Sequence, residues 1–311
     1  MAKKLLYLSK ASLLILIQLL EIQSGSFTNA KRIEFSKSLK DLEESQKGQT
    51  VHLEESQKGQ TVQGLREVKH YLNKYGYLNY EDSNNFEEDE FDEAMEVAIK
   101  AYQTFFHLKV TGKLDIDTTK QMSIPRCGVP DIMNGSLTQP QFSFIPGKPI
   151  WPYNKHNLTY AFVSSTGPNV NVHQMKAAGS YAFREWAKIS NFTFQLTGDV
   201  SNADLILGFH RGDHGDGLPF DGPGGHLAHA FPPTNGRLHY DADENWTVGN
   251  TVSPNQIDLR GVSLHEIGHL LGLGHSSNES SIMYPSIKEG QKKRGLSSDD
   301  MDGLKSLYSS S

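Results

Sequence analysis

The sequence holds a single cysteine, Cys127, in 311 residues, so no internal disulfide can form and nothing in the fold is stapled covalently. A broad field of one charge is missing too. With 30 Lys and Arg against 36 Asp and Glu, the formal net charge of -6 argues against nucleic acid or an anionic membrane as partner. Past the first 25 residues no apolar run is long enough to span a bilayer. The terminal "LYSSS" lacks the hydrophobic tail of a lipid-anchor signal.

What is present begins with a leader. Lys3 and Lys4 precede the apolar "LLYLSKASLLILIQLL" and then the small, polar "QSGSFTNA". That order reads as a secretory signal peptide over residues 1–25, and Lys10 interrupts a run already short for a membrane anchor. Five N-x-[ST] sequons, at Asn134, Asn157, Asn191, Asn245 and Asn278, suit a secreted, extracellular glycoprotein. An odd cysteine in a secreted chain is expected to be reactive or to bind a ligand. Its surroundings, "PRCGVPD" at 125–131, favour a rigid exposed turn over a core position.

The decapeptide "LEESQKGQTV" occurs at 42–51 and again at 53–62. Two copies do not build a solenoid, and we read a duplication within a flexible, solvated leader, 26–61. From Val62 the pattern turns helical. Leu65, Val68 and Leu72 fall on one face, and Phe91, Met95, Ala98, Tyr102 and Phe105 on another. A short helix is expected from near Asp117, closing a small all-helical domain over 62–123. The cysteine segment follows at 124–131, and then a Pro-, Gly- and Ser-rich linker at 132–147. In the last region, 148–311, strand-like "LTYAFV", "FTFQLT" and "ADLILGF" accompany a helix marked by Met175, Ala178, Ala182 and Trp186. A helix through 254–272 and one from about Ser298 complete an α+β domain.

Eight of the thirteen histidines lie between His210 and His275. In "HEIGHLLGLGH", His265 and His269 are four residues apart, so on a helix both imidazoles project from one face. Glu266 sits beside them, placed to reach a metal-bound water rather than the metal. Gly272 can leave the helix through a backbone conformation that a side chain penalises, which brings His275 to the same ion. Three neutral imidazoles leave the fourth tetrahedral position of a zinc ion open, the mark of a catalytic site.

"HEIGHLLGLGH" resembles the metzincin zinc signature, "SIMYP" its Met-turn with Met283 beneath the metal, and "PRCGVPD" the cysteine switch of the matrix metalloproteinases. "AYQTFFHLKVTGKLDIDTTKQM" is similar to the peptidoglycan-binding-like helical module. The resemblance runs from about residue 62 to 308 and is to the plant-type members of that family, which lack a hemopexin-like propeller. It implies a metzincin catalytic domain, a mixed twisted sheet with three helices, preceded by a helical propeptide domain. It further implies a structural zinc at His214, Asp216, His229 and His239. Calcium would be bound by Asp221, Asp241 and Glu244 with the carbonyls of Gly222, Gly224 and His226, and by Asp204 as a further ligand. His210 falls outside these positions and is expected to be an ordinary strand residue.

Under the same resemblance, Cys127 as thiolate fills the open zinc position and keeps the enzyme latent, while Arg126 and Asp131 pair to hold the segment. Activation is loss of that ligand, with a cut near Phe142 to Phe144 and a new amino terminus pairing with Asp299 or Asp300. The expected activity is that of a secreted, monomeric endopeptidase in which Glu266 is general base toward a zinc-activated water. Extended polypeptides would lie along "HLAHAFP". A large apolar side chain such as Leu would enter a pocket beside Gly261 and Ile287. Two other readings stand beside this one, a zinc hydrolase of cell-wall peptides and a non-catalytic, metal-stabilised binding module.

Overall fold

The computed structural model describes residues 53, 55–80, 83–133, 142–163 and 170–309. The expected signal peptide, the first copy of the repeat and Asn134 lie outside them. Helix α1 (Leu65–Lys74) buries Leu65, Val68 and Leu72. Helix α2 (Glu93–Phe105) buries Met95, Ala98 and Tyr102, and its first turn is capped by Asp92, which accepts from the Met95 amide at 2.7 Å. Helix α3 (Ile116–Met122) begins earlier than Asp117, because Asp115 is the cap and accepts from the Thr118 amide.

The second copy of the repeat is not a solvated leader. Leu53 is 3% exposed and belongs to the core of the helical domain. Ser56 pairs with Leu114 and Thr61 with Glu90. The leader reading of 26–61 therefore fails from Leu53 onward: a mostly polar segment carries one leucine that the helices bury.

After α3 the chain enters a second unit. Its strands are β1 (Arg126–Cys127), β2 (Phe142–Phe144), β3 (Asn157–Phe162), β4 (Thr193–Leu196), β5 (Leu205–His210), β6 (His226–Ala230), β7 (Arg237–Asp241), β8 (Trp246–Thr247), β9 (Ile257–Asp258) and β10 (Leu273–Ser276). Its helices are α4 (Val172–Lys188), α5 (Leu259–Leu270) and α6 (Ser298–Tyr308). Six strands form one sheet in the order β1-β6-β7-β5-β3-β4, parallel throughout except for the β6–β7 pair. The fold is α+β, with helices α4 and α5 packed on the mixed sheet and α6 packed on the β2–β10 pair.

The core lies between the sheet and helices α4 and α5, where Met175, Ala178, Ala182 and Trp186 of α4 meet Leu264, Ile267 and Leu270 of α5. The Trp186 indole also donates to the Leu264 carbonyl at 2.8 Å. Helix α5 starts only at Leu259, because Asp258 caps it and accepts from Arg260.

Two findings depart from the linear reading. First, β6 is not a free edge here, because β1 adds to it in parallel, pairing Cys127 with Ala228. Second, the expected linker at 132–147 contains β2, antiparallel to β10. Ser143 donates to the His275 carbonyl at 2.6 Å and the Phe142 amide to Asp299 at 3.1 Å. Those partners are more than 130 residues away in sequence, so no local periodicity announces them.

Candidate active site

Helix α5 brings His265 and His269 onto one face, one turn apart. The chain then reverses at Gly272, where φ is +99° and a Cβ would sit 2.3 Å from the Pro149 carbonyl oxygen, a place open only to glycine. That turn delivers His275 on β10. The three Nδ1 atoms face outward onto acceptors: the Ile282 carbonyl for His265 at 2.7 Å, the Leu273 carbonyl for His269 at 2.8 Å, and the Asp131 carboxylate for His275 at 2.7 Å. A neutral imidazole donating through Nδ1 keeps its lone pair on Nε2.

The Nε2 atoms converge. Those of His265 and His269 lie 3.1 Å apart, and that of His275 is buried with no hydrogen-bond partner. With the Cys127 sulfur, the four ligand atoms lie within 4.8 Å of one another, and all four residues are buried. Lone pairs facing each other in a dry site repel unless a cation lies between them, so this donor set fits zinc. Burial and the neighbouring imidazoles hold His265 and His269 well below the ordinary histidine value, in the neutral form that binds a metal.

The groups around the cluster come from both units. The Cys127 sulfur is 3.5 Å from His269 Nε2 and accepts from the Val129 amide. Burial, then the Glu266 carboxylate, push its thiol pKa well up; a bound cation reverses that direction and favours the thiolate. Both Glu266 oxygens are buried without a hydrogen-bond partner, and burial pushes that carboxyl up to about 8. Arg126 donates to Asp131 at 2.5 Å, Tyr77 donates to the other Asp131 oxygen at 2.8 Å, and the guanidinium lies 3.5 Å from the centre of the Tyr75 ring. Burial alone would raise the Asp131 carboxyl; Arg126 and His275 overcome it and hold it below the usual carboxylate value.

A family model described as Matrixin matches residues 150–309. The chain belongs to the matrixin family. A second model, a putative peptidoglycan binding domain, matches residues 61–122. Among curated relatives, Metalloendoproteinase 2-MMP of Arabidopsis thaliana is 42% identical over 79% of this chain and 71% of its own length. Metalloendoproteinase 1 of Glycine max is 43% identical over 79% of this chain and 82% of its own. Interstitial collagenase of Sus scrofa is 40% identical over 79% of this chain but only 50% of its own. The matrixin is thus a zinc-dependent metalloendopeptidase.

Within this matrixin a second cluster joins His214, Asp216, His229 and His239, also within 4.8 Å. One Asp216 oxygen lies 2.8 Å from a nitrogen of each of the three histidines. His210, read as an ordinary strand residue, packs against this cluster, its ring stacked on that of His214 at 4.8 Å and tilted against that of His239 at 4.2 Å. The acidic loop beside it places Asp241 and Glu244 in the interior. Asp241 accepts from the Gly222 amide at 3.1 Å and Asp221 from the His226 amide at 3.1 Å, which ties the loop before β6 to the end of β7. Asp204 does not join them: its carboxylate is engaged by the Lys155 ammonium and by Thr159 through both amide and hydroxyl.

His226 plays a part the sequence did not reveal. Beyond its carbonyl, its side chain is buried, 3.2 Å from the Lys74 ammonium of the helical unit and 3.1 Å from His229 Nδ1. A Cβ on Gly128 would lie 1.7 Å from its Nε2, so that position of the cysteine segment must be glycine.

Met283 is 1% exposed, its sulfur packs against Gly268 of α5, and its amide is held by Ser281 and Asp300. Next to the cluster, a cleft partly open to solvent is lined by Gly261, Val262, Tyr284, Pro285, Ile287 and Lys293. Of the sequons within the described residues, Asn157 and Asn191 are exposed, while Asn245 and Asn278 are half-buried. No helix among the described residues is long and apolar enough to cross a membrane.

Proposed function

We propose that this matrixin is made as a secreted zymogen, with the helical domain and the segment 124–131 as an inhibitory propeptide. The observation that carries the proposal is the Cys127 sulfur inside the three-imidazole cluster, where it fills the corner that an attacking water would need. Zinc held there supplies Lewis acidity toward a scissile carbonyl and brings the pKa of a water ligand to about 7. Glu266 takes a proton from the attacking water and returns it to the departing amine. His265 and His269, locked through Nδ1 onto the Ile282 and Leu273 carbonyls, keep their lone pairs aimed at one point, and the dry walls of the cleft exclude competing water.

Once β1 is gone, β6 becomes an edge strand whose main chain can pair with an extended polypeptide. The adjoining pocket suits a large apolar side chain such as Leu after the scissile bond, since Leu227, Val262, Ile282 and Ile287 line it. The second cluster suits a closed structural zinc, and the acidic loop suits calcium, a hard cation bound through carboxylate and carbonyl oxygens. Cleavage just before Phe142 would turn an amide that already donates to Asp299 into an ammonium held by the same carboxylate. Asn191, exposed next to a turn, is the favoured sugar site among the described sequons.

Two variants test the proposal with a fluorogenic peptide. Cys127→Ser makes the uncut chain hydrolyse it, and Glu266→Ala stays inactive after the propeptide is removed. A Cys127→Ser precursor as silent as the parent refutes the latch; retained hydrolysis in Glu266→Ala refutes the base.

A further inference from the structure

The three zinc-ligating imidazoles are not anchored alike. His265 and His269 each donate through Nδ1 to a main-chain carbonyl, of Ile282 and Leu273, within the catalytic unit itself. His275 donates instead to a side chain that lies 144 residues away, in the cysteine segment: Asp131, at 2.7 Å. Neither side chain has any exposed surface. Asp131 cannot drift, because Arg126 and Tyr77 donate to its two oxygens at 2.5 and 2.8 Å and its own amide donates to the Tyr75 carbonyl.

A carboxylate accepting the outer N–H of a metal-bound imidazole fixes the tautomer, sets the ring's orientation and makes the inner nitrogen more basic. Losing such a partner typically costs about 10–100-fold in metal affinity. Resting on the zymogen reading above, we propose that Asp131 is a positioning residue for His275. The propeptide then contributes two groups to the catalytic zinc, the Cys127 sulfur directly and the Asp131 carboxylate through His275. Its removal opens the fourth corner and in the same event strips one of the three remaining ligands of its charged partner. The precursor thereby serves as a metal-retaining form, and the mature enzyme holds zinc through two anchored imidazoles and one that has lost its anchor.

The test uses the full-length precursor and two readouts other than activity. Long-range proton–nitrogen spectra of the zinc-loaded wild type report each imidazole ring proton. Three slowly exchanging Nδ1 protons are expected, with that of His275 the furthest downfield because its acceptor is charged; after propeptide removal, only the His275 proton is lost. In parallel, Asp131→Asn is loaded with cobalt, to read thiolate ligation by its charge-transfer absorption, and with zinc, to time its transfer to a chromophoric chelator. The expected result is a cobalt–thiolate band that persists while zinc leaves about 10–100-fold faster than from the wild type.

A His275 ring proton in fast exchange with water in the wild-type precursor overturns the proposal. So does an Asp131→Asn precursor that keeps the band and releases zinc at the wild-type rate. If that variant loses the band, the wild-type ring-proton result decides alone. A wild-type precursor without any cobalt–thiolate band refutes the latch itself, which is a different failure.

Discussion

Replacing Arg126 by Met removes a guanidinium that is 1% exposed and paired at 2.5 Å with an Asp131 side chain of no exposed surface. The same guanidinium lies 3.5 Å from the Tyr75 ring centre and donates to the Cys127 carbonyl at 3.2 Å. Breaking a buried pair from one side costs about 3–5 kcal/mol, because the abandoned charge stays in a dry place. Met recovers some apolar packing, so we take about 3 kcal/mol, which at about 1.4 kcal/mol per tenfold is roughly a hundredfold rise in the opened fraction.

Arg126→Lys keeps the charge but loses the planar fork and the stacking on Tyr75, and should fall between, near tenfold. The assay is hydrolysis of a fluorogenic peptide by uncut precursor, with its size checked before and after, alongside the alkylation rate of Cys127. Both rates should rise together in the order wild type, Lys, Met. An Arg126→Met precursor as silent as wild type, with Cys127 equally resistant to alkylation, would refute the reasoning.

Further tests follow from other contacts. Gly268→Ala places a Cβ 2.3 Å from the Met283 sulfur and 3.0 Å from Trp186. Overpacking of about 1–3 kcal/mol should outweigh the roughly 1 kcal/mol that Ala gains in a helix; a variant with a higher melting temperature and full activity contradicts this. Lys293, half-buried on the pocket wall with its ammonium donating to the Glu279 carbonyl at 2.8 Å, has its pKa lowered to about 8, first by burial, against the attraction of Asp300 and Glu279. The unfolded chain therefore binds more protons between about pH 8 and 10.4, so stability rises with pH across that window. Lys293→Met should stabilise the protein by about 1–2 kcal/mol at pH 7, with the gain fading toward pH 10; a pH-independent effect in chemical denaturation counts against it. His229→Ala should lower the bound zinc from two per chain to one and reduce thermal stability, while peptide hydrolysis by the surviving folded fraction persists. Unchanged metal content would exclude the second zinc.

The chemistry of the first cluster was legible because it is local. A spacing of four on a helix and a glycine three residues on fix three imidazoles through short-range geometry alone. The α+β class was legible for the same reason, since the faces of α1, α2 and α4 repeat with the helical period. What escaped depends on contacts across the chain. The Asp131–His275 bond spans 144 positions, and the burial of Leu53 depends on helices that follow it. The strand at Phe142–Phe144 exists because β10 offers it a partner, though its composition reads as a linker. His226 was placed by its carbonyl, yet its ring lies between Lys74, Gly128 and His229. The contact of the Asp204 carboxylate with Lys155, from a neighbouring loop, escaped for a like reason.

The zymogen reading is tested most directly by zinc X-ray absorption on the intact precursor, with Cys127→Ser as reference. The account predicts a sulfur scatterer at about 2.3 Å that disappears in the variant while the nitrogen shell remains. A precursor whose zinc shows only nitrogen and oxygen neighbours, indistinguishable from Cys127→Ser, would contradict it.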